Sequence, residues 1–526
     1  MAQLVAHLHG MQGVRGSSPL RSTYERYPGS GRDSSYPVPA DPSGGAARRG
    51  MTRRARIRFE RTSVSRDQAN AALRMHAITD ETTEIVDMVL EYARRRILSD
   101  DTPLDKPFTP SELRRLAGQT ISEGGMGARR ALALFENVLA PSCITTEHPR
   151  YLSFIPSAPS KAATAFDLIV SATAVYGGSW LEGSGAVYAE NDVLSWLALE
   201  FGLPETAGGV FVQGGTIGNL SALVAARDHN DRMRRDAGRE RPARWVVVAS
   251  AEAHSSIASA AKVMDIDVVT VPVGESGMMH GAGVQEALDK HGEAVIAVIA
   301  TGGSTNFGIV DDIASIAALK DDHDFWLHID GAYGLAAALT DIARPRFAGI
   351  ERADSLIVDP HKWLFTPFDS CALLYRDPEI ARAAHTQHAE YLDALTDSSE
   401  YNPSDYSVQL TRRARGLPLW FSLATFGAQA YREAIAVSID LAYEIGREIA
   451  ARDYLQLVRE PQLSVVVFER VGWSHGDYVH WSNRLLDDQH AFVVPSSHAG
   501  RTNARFAIVN PRTTLDDLIG ILDSMR

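Results

Sequence analysis

The sequence predicts an α/β protein: a mostly parallel sheet with helices on both faces. Three observations carry that reading. From Gly208 onward, short apolar runs alternate with helical patterns: a strand from Gly208 that ends in glycines and opens a helix at Leu220–Arg227, then Trp245–Ser250, Ser256–Met264, Val268–Val271, Val284–Lys290, Val295–Thr301, Ile313–Asp321, Trp326–Asp330 and Ser355–Val358. The run from Ala294 to Ala300 is apolar throughout, as a buried strand should be, and far too short to span a bilayer. Polar residues then stand where strands end, which is where open α/β sheets bind ligands.

In chain order, residues 1–60 are rich in Gly, Ser, Pro and Arg without hydrophobic period, and disorder is expected there. They hold ten Arg, no Lys and four acids, a charge of +6, so the remainder carries −13 − 6 = −19. The opening residues resemble a transfer-RNA gene translated in error, which makes Met51 or Met75 the expected start; an Arg-rich targeting peptide is the alternative. Residues 61–160 form a helical arm and a pocket loop. A helix begins at Asp80, with Ile85, Met88, Val89, Tyr92 and Ile97 near one face. A second starts at Ser111, where Ser or Thr can cap, and a third spans Ala131 to Leu139. The Glu147–Ser157 loop holds two prolines and several aromatics, more apolar area than solvated loops carry. Residues 161–416 are the large domain. From 417 on, a long helix (Trp420 to Arg452), strands at Ser464–Phe468 and Arg505–Val509 and a helix near Tyr478–Asp488 read as a small α+β domain.

The acidic body argues against nucleic acid or an anionic membrane as partner. Cys143 and Cys371 are the whole cysteine complement, so no disulfide framework, cysteine cluster or metal site is expected. No secretory signal is visible, and a cytoplasmic location is the default.

Four strand ends carry chemistry. Gly214-Gly215-Thr216 ends one strand and opens a helix, whose backbone N–H groups can cradle a phosphate. His254 follows the next strand, where an imidazole can stack on a flat ring. Asp330 ends the strand Trp326–Asp330, and a buried carboxylate there needs a cation. Lys362 stands beside Trp363, Leu364 and Phe365; desolvation should lower its pKa and leave it able to capture a carbonyl as a Schiff base. Phosphate, flat ring, pyridine nitrogen and aldehyde are the parts of pyridoxal phosphate.

The chain resembles the pyridoxal-phosphate-dependent group II amino-acid decarboxylases, the family of aromatic-L-amino-acid decarboxylase, over roughly Thr79 to Arg512. The resemblance rests on His148-Pro-Arg-Tyr151, Ala253-His-Ser-Ser256, His328-Ile-Asp-Gly-Ala-Tyr333, Asp359-Pro-His-Lys-Trp363, Arg412-Arg-Ala-Arg415 and Asn510-Pro-Arg-Thr-Thr514. It implies a fold-type I subunit in a homodimer with interface active sites. Lys362 would then hold the cofactor beside His361, Asp330 would pair with the ring nitrogen, Ala332 would touch one ring face and His254 the other. Gly215 and Thr216 match the phosphate contacts, and Ser304 or Thr305 matches a cofactor-side hydroxyl. Phe154, Ile155, Pro156 and Ser157 match a substrate-pocket segment. Tyr406 matches a proton donor on a mobile loop, with Tyr391 and Tyr401 as rivals.

The chain departs from relatives in its phosphate turn, Gly215-Thr-Ile-Gly-Asn219, and at Asp359, where animal relatives often carry Asn. The resemblance implies decarboxylation of an L-amino acid, with an aromatic or apolar side chain favoured by Phe154 and Ile155. Oxidative aldehyde synthesis on the same fold, or an acidic substrate, is the alternative.

Overall fold

The computed structural model describes residues 73–388 and 400–526. The disorder expected for residues 1–60, and Tyr391, lie outside the described residues.

The arm comprises α1 (Asp80–Ile97), α2 (Pro110–Ala117) and α3 (Ala128–Leu134), which runs on into a π-helical turn at Phe135–Leu139. Local chemistry sets the first two starts. Thr79 and Thr109 each close a reciprocal capping box, and Pro110 stands at the first helical position, where no N–H is needed. Tyr92 packs edge-on to Phe135, with ring centroids 5.9 Å apart. Val89, expected on the apolar face, is exposed together with Val86.

After α4 (Lys161–Thr173) and α5 (Trp180–Glu200), a seven-stranded sheet is threaded with helices. Its elements are β1 (Gly208–Val212), α6 (Gly215–Asp236), β2 (Val246–Ser250), α7 (Ser255–Met264), β3 (Asp267–Val271), α8 (Gly281–His291), β4 (Val295–Thr301), α9 (Ile313–Ala318), β5 (Trp326–Asp330), β6 (Ser355–Val358), α10 (Pro360–Trp363) and β7 (Cys371–Tyr375). The strand order is β1-β7-β6-β5-β4-β2-β3. All neighbours are parallel except β7, which runs antiparallel to both β1 and β6.

Alternate strand residues feed two cores. Val246, Val248, Val298, Leu327, Ile329 and Leu356 enter one, and Val247, Ala249, Ala297, Ile299 and Ile357 the other. Burial on both faces is why the strands read as unbroken apolar runs. α6 lies close on the sheet at Gly218, where a Cβ would meet Ile357 Cγ2 at 2.8 Å and Cys371 Sγ at 3.1 Å.

Beyond α11 (Pro378–His385), α12 (Leu417–Ala450) leads to β8 (Leu455–Leu457), β9 (Val465–Arg470), α13 (His475–Asp487), β10 (Ser496–His498), β11 (Arg501–Ala507) and α14 (Leu515–Asp523). α12 is two helical pieces broken at Gly427, whose φ of 75° suits only glycine comfortably. The four antiparallel strands, ordered β10-β11-β9-β8, share a third core with α12, α13 and α14. The loop after the arm joins this layer: Leu152 N donates to Phe492 O at 3.0 Å, and Ala507 N to Leu152 O at 2.9 Å. Among the described residues no helix is long and apolar enough to cross a membrane.

Candidate active site

The ends of β1, β2, β4, β5 and β6 open onto a cavity of about 290 Å³. Gly215, Thr216, His254, Thr305, Asp330, Ala332, His361 and Lys362 all line it. The four strand-end groups expected from sequence therefore converge on one space.

At the α6 end no side chain caps the helix, so its positive pole faces the cavity uncompensated. A Cβ on Gly215 would crowd Ala332 Cβ at 3.2 Å and Asp359 Oδ2 at 3.3 Å, so only glycine leaves the cradle open. Across the cavity Asp330 accepts from Asn219 Nδ2 at 2.9 Å and from Ala332 N at 3.3 Å. His254 caps α7, its Nδ1 accepting from Ser256 N at 3.2 Å. His361 Nδ1 lies 2.6 Å from Ser370 O, and its ring centroid is 5.2 Å from that of Phe368.

Lys362 corrects the expectation of a lowered pKa. Burial alone would lower it, but Asp359 Oδ2 lies 2.9 Å from Nζ and Asp330 adds its charge, so the pKa is raised instead. Asp359 answers in kind: burial pushes its carboxyl up, the charges of Lys362 and His361 outweigh that, and the net direction is down. Lys362 is an ammonium held by a carboxylate in this state of the protein. Any attack on a carbonyl must begin with loss of that proton.

Other expectations are redistributed. Thr305 lines the cavity, whereas Ser304 is buried in a turn, where Ile309 N donates to its Oγ at 3.3 Å. Phe154, Ile155, Pro156 and Ser157 do not line the Lys362 cavity. Ser157 borders a second one of about 480 Å³, along with Tyr92, Phe135, Ile144 and Phe368, and its Oγ donates to Thr366 O at 2.9 Å. Phe368 lines only this second space and is 55% exposed. Tyr406 is 3% exposed and belongs to the α6-side core, stacked on Tyr401 at 4.1 Å, with its carbonyl accepting from Tyr375 Oη. It is packed away from the cavity, because aromatic burial there outweighs the loop's polar composition. Tyr401 is engaged too, donating to Gly209 O.

Sequence reasoning passed over several residues. Gln213 and Thr301 line the cavity, and Gln213 Oε1 and Thr301 Oγ1 are buried without a protein partner. Asn219, Ser256 and Tyr333 lie inside the quoted motifs, but no role followed from their letters. Arg505 donates to Phe154 O, its Nε is buried without a partner, and burial pushes its pKa down to about 10. A cation within β11 of the small domain gives no local signal of what it faces.

These features fit pyridoxal phosphate. A glycine cradle at a helix N-terminus, orphaned polar atoms around the cavity, a carboxylate on one side and an amine on the other match its phosphate, polar edge, ring nitrogen and aldehyde.

Comparisons with known proteins agree. A model of the pyridoxal-dependent decarboxylase conserved domain matches residues 110–471. Aromatic-L-amino-acid decarboxylase of Bacillus atrophaeus is 28% identical over 454 residues, covering 84% of this chain and 92% of the relative. L-2,4-diaminobutyrate decarboxylase of Rhizobium meliloti (strain 1021) is 30% identical over 419 residues, covering 77% and 83%. The fold matches that of Oryza sativa TDC, solved with PLP and tryptamine, at a TM-score of 0.76 and 24% identity, over 88% of this chain and 98% of that one. With the family model covering most of the chain and the cavity built for its cofactor, the protein belongs to the pyridoxal-phosphate-dependent amino-acid decarboxylases.

Proposed function

We propose that this enzyme decarboxylates an L-amino acid with an aromatic or apolar side chain, giving the amine and CO₂. The observation that carries the reading is the convergence of Lys362, Asp330 and His254 on one cavity, with Tyr92, Phe135, Ile144 and Phe368 lining a second.

When bound, the cofactor supplies an electron sink for the bond to the departing carboxylate. The chain does the rest. Lys362 would hold the cofactor's aldehyde carbon, and Asp359 balances the charge of its ammonium whenever the amine is free. Asp330 would accept a hydrogen bond from the ring nitrogen's N–H and favour its protonated form. Gly215, Thr216 and the pole of α6 would hold the phosphate. Gln213 and Thr301 offer polar atoms to the cofactor's edge. Arg505, which donates to the Phe154 carbonyl and keeps a buried Nε without a partner, is a cation suited to a substrate carboxylate.

The protein works as a homodimer in this reading. α1, α2 and α3 contain no buried residue, so the arm gains its burial from a second copy.

A second reading, oxidative formation of an aldehyde, is favoured by one observation: Tyr406 is packed in the core rather than at the cavity. A proton donor to the α-carbon must come from elsewhere, and Tyr391 is the next candidate. One reaction vessel distinguishes the readings. Borohydride reduction should fix the cofactor to the peptide carrying Lys362, and label on another lysine overturns the site. With a panel of amino acids, amine and CO₂ should appear in equal amounts from aromatic substrates. Aldehyde with peroxide supports the oxidative route, and turnover confined to acidic substrates overturns the substrate class.

A further inference from the structure

One buried amide joins two residues of the cavity, Asp330 directly and His254 through Ser256. Asn219, in the first turn of α6, is 1% exposed. Its Nδ2 lies 2.9 Å from Asp330 Oδ2 and 2.9 Å from Ser256 Oγ, while its Oδ1 lies 2.8 Å from His328 Nε2. The amide has no choice of orientation. Turned over, it would set a carbonyl oxygen against the Asp330 carboxylate, whereas as placed both amide hydrogens are donated.

The rest of the network follows from that one orientation. His328 Nε2 faces a carbonyl oxygen, so it carries the ring's proton and donates it. His328 Nδ1 is then the acceptor, 2.8 Å from Ser355 Oγ, whose hydroxyl donates to it. Ser355 Oγ in turn accepts from Trp326 Nε1 at 2.7 Å. On the other branch Ser256 Oγ, having accepted from Asn219, donates its hydroxyl hydrogen to His254 Nδ1 at 2.9 Å, the atom that also accepts from Ser256 N–H. His254 therefore has its proton on Nε2, a donor available to the cavity that it lines. Every hydrogen has one acceptor, from Trp326 to Asp330 and from Asn219 to His254. All six partners are buried or line the cavity, where such a network is stiff and a missing link is costly.

We propose that Asn219 is a positioning residue that sets Asp330 as an acceptor and His254 as an Nε2–H donor together, with its own orientation locked by His328, Ser355 and Trp326. Asn219 transfers no proton. It fixes which atoms of its two neighbours give and which receive, so the ring meets a matched pair. The role rests on the cavity being the cofactor site.

Two variants test it. Asn219→Leu removes donor and acceptor at nearly constant size. Titrated into the cofactor-free protein, pyridoxal phosphate should bind roughly 10- to 100-fold more weakly than to the parent, as expected for a lost hydrogen bond to a charged group. The pH at which the bound cofactor's visible band interconverts should also move by about one unit or more. Asn219→Asp keeps the shape but sets a second carboxylate 2.9 Å from Asp330 Oδ2, so one of the two must hold a proton. Its kcat/KM should gain a limb that falls as pH rises and that the parent lacks. In the cofactor-free parent, histidine ¹⁵N shifts should show Nε2–H tautomers for His328 and His254, and His254 should become a mixture in Asn219→Leu. Should that variant not fold, Asn219→Asp decides alone.

Cofactor affinity within twofold of the parent and an unmoved band in both variants overturn the proposal. So does an Nδ1–H tautomer of His328 in the parent. A purely structural Asn219 would lower stability and leave the band and pH limb unchanged, which also counts against the role. A parent that does not hold its cofactor on Lys362 fails differently, because then the site assignment falls and this role falls with it.

Discussion

The strand-end cavity and the N-terminal arm are built on opposite terms. At the cavity, polar residues are buried: His328 is 0% exposed, Asn219 1% and Asp330 6%, and each finds its partner on a different element. In the arm the helices are well specified locally, with capping boxes at Thr79 and Thr109, yet none of α1, α2 and α3 buries a residue. Exposed ion pairs such as Arg95–Glu136 contribute little there, about 0–1 kcal/mol each. Local signals make a helix start, but packing makes it stay. The polar network at the cavity closes within one chain, whereas the three arm helices bury none of their residues in it.

The largest effect should come from breaking the buried side of that contrast. Arg412 lies against Glu190 at 2.8 Å, and its other nitrogen donates to Phe211 O of β1 at 2.8 Å. Glu190 also accepts from Gly416 N at 2.7 Å. Both side chains are almost fully buried, so Arg412→Ala leaves an unpaired carboxylate behind and should cost about 3–5 kcal/mol in chemical denaturation. A loss below about 1 kcal/mol would mean that the carboxylate finds water. Arg95→Ala in the arm should lie within about 0.5 kcal/mol of the parent.

The same burial predicts a pH window. His328 is pushed down from 6.5 to about 4, first by burial, with the Asp330 charge opposing. His148 is likewise lowered to about 4 by burial and by Arg150. Both fold neutral, while the unfolded chain takes up their protons near 6.5. Their contribution is therefore complete above pH 6.5 and lost as pH falls towards 4. For His328 alone this amounts to about 3 kcal/mol. Denaturation midpoints measured from pH 7 to pH 4.5 should fall more steeply in the parent than in His328→Gln. Parallel curves would show that His328 is charged or solvated in the fold.

Next comes the Asp330 carboxylate at the cavity. Asp330→Asn keeps shape and volume but removes a charge-assisted hydrogen bond, worth roughly 1.5–3 kcal/mol, or about 10- to 150-fold in kcat. The variant should stay folded with normal thermal unfolding. Near-parental turnover would remove Asp330 from the chemistry and leave only its place in the network.

What could be read from sequence follows the same division. The strand ends were legible because each apolar run has an edge and a polar residue stands out at it. Asp330, His254 and Lys362 stand out that way, and all three line the cavity. The sign of the Lys362 shift was not, since it depends on a turn that brings Asp359 to 2.9 Å. Gln213, Asn219, Thr301 and Arg505 were missed because a letter shows that a polar residue sits among apolar ones and not what it faces. Tyr406 misled for a related reason. The resemblance put it on a mobile loop, yet Tyr401 and Tyr406 stack at 4.1 Å inside a core.

The smallest effect on stability should carry the most information about the arm. Val86 and Val89 lie three residues apart, hence on one face of α1, and are 50% and 45% exposed in the single chain. Glutamate has a higher helix propensity than valine, and a substituted surface position normally shifts stability by no more than about 0.5 kcal/mol. Within one chain Val89→Glu should therefore be neutral. If this face docks on a second copy, the new carboxylate loses water without gaining a partner in each of two symmetric contacts. A penalty of about 1.4 kcal/mol per contact then weakens dimerisation roughly 100-fold. Sedimentation equilibrium of parent and variant measures this directly, with thermal unfolding as the control. A dimer constant that does not change would place the partner surface elsewhere and leave α1 a solvated helix.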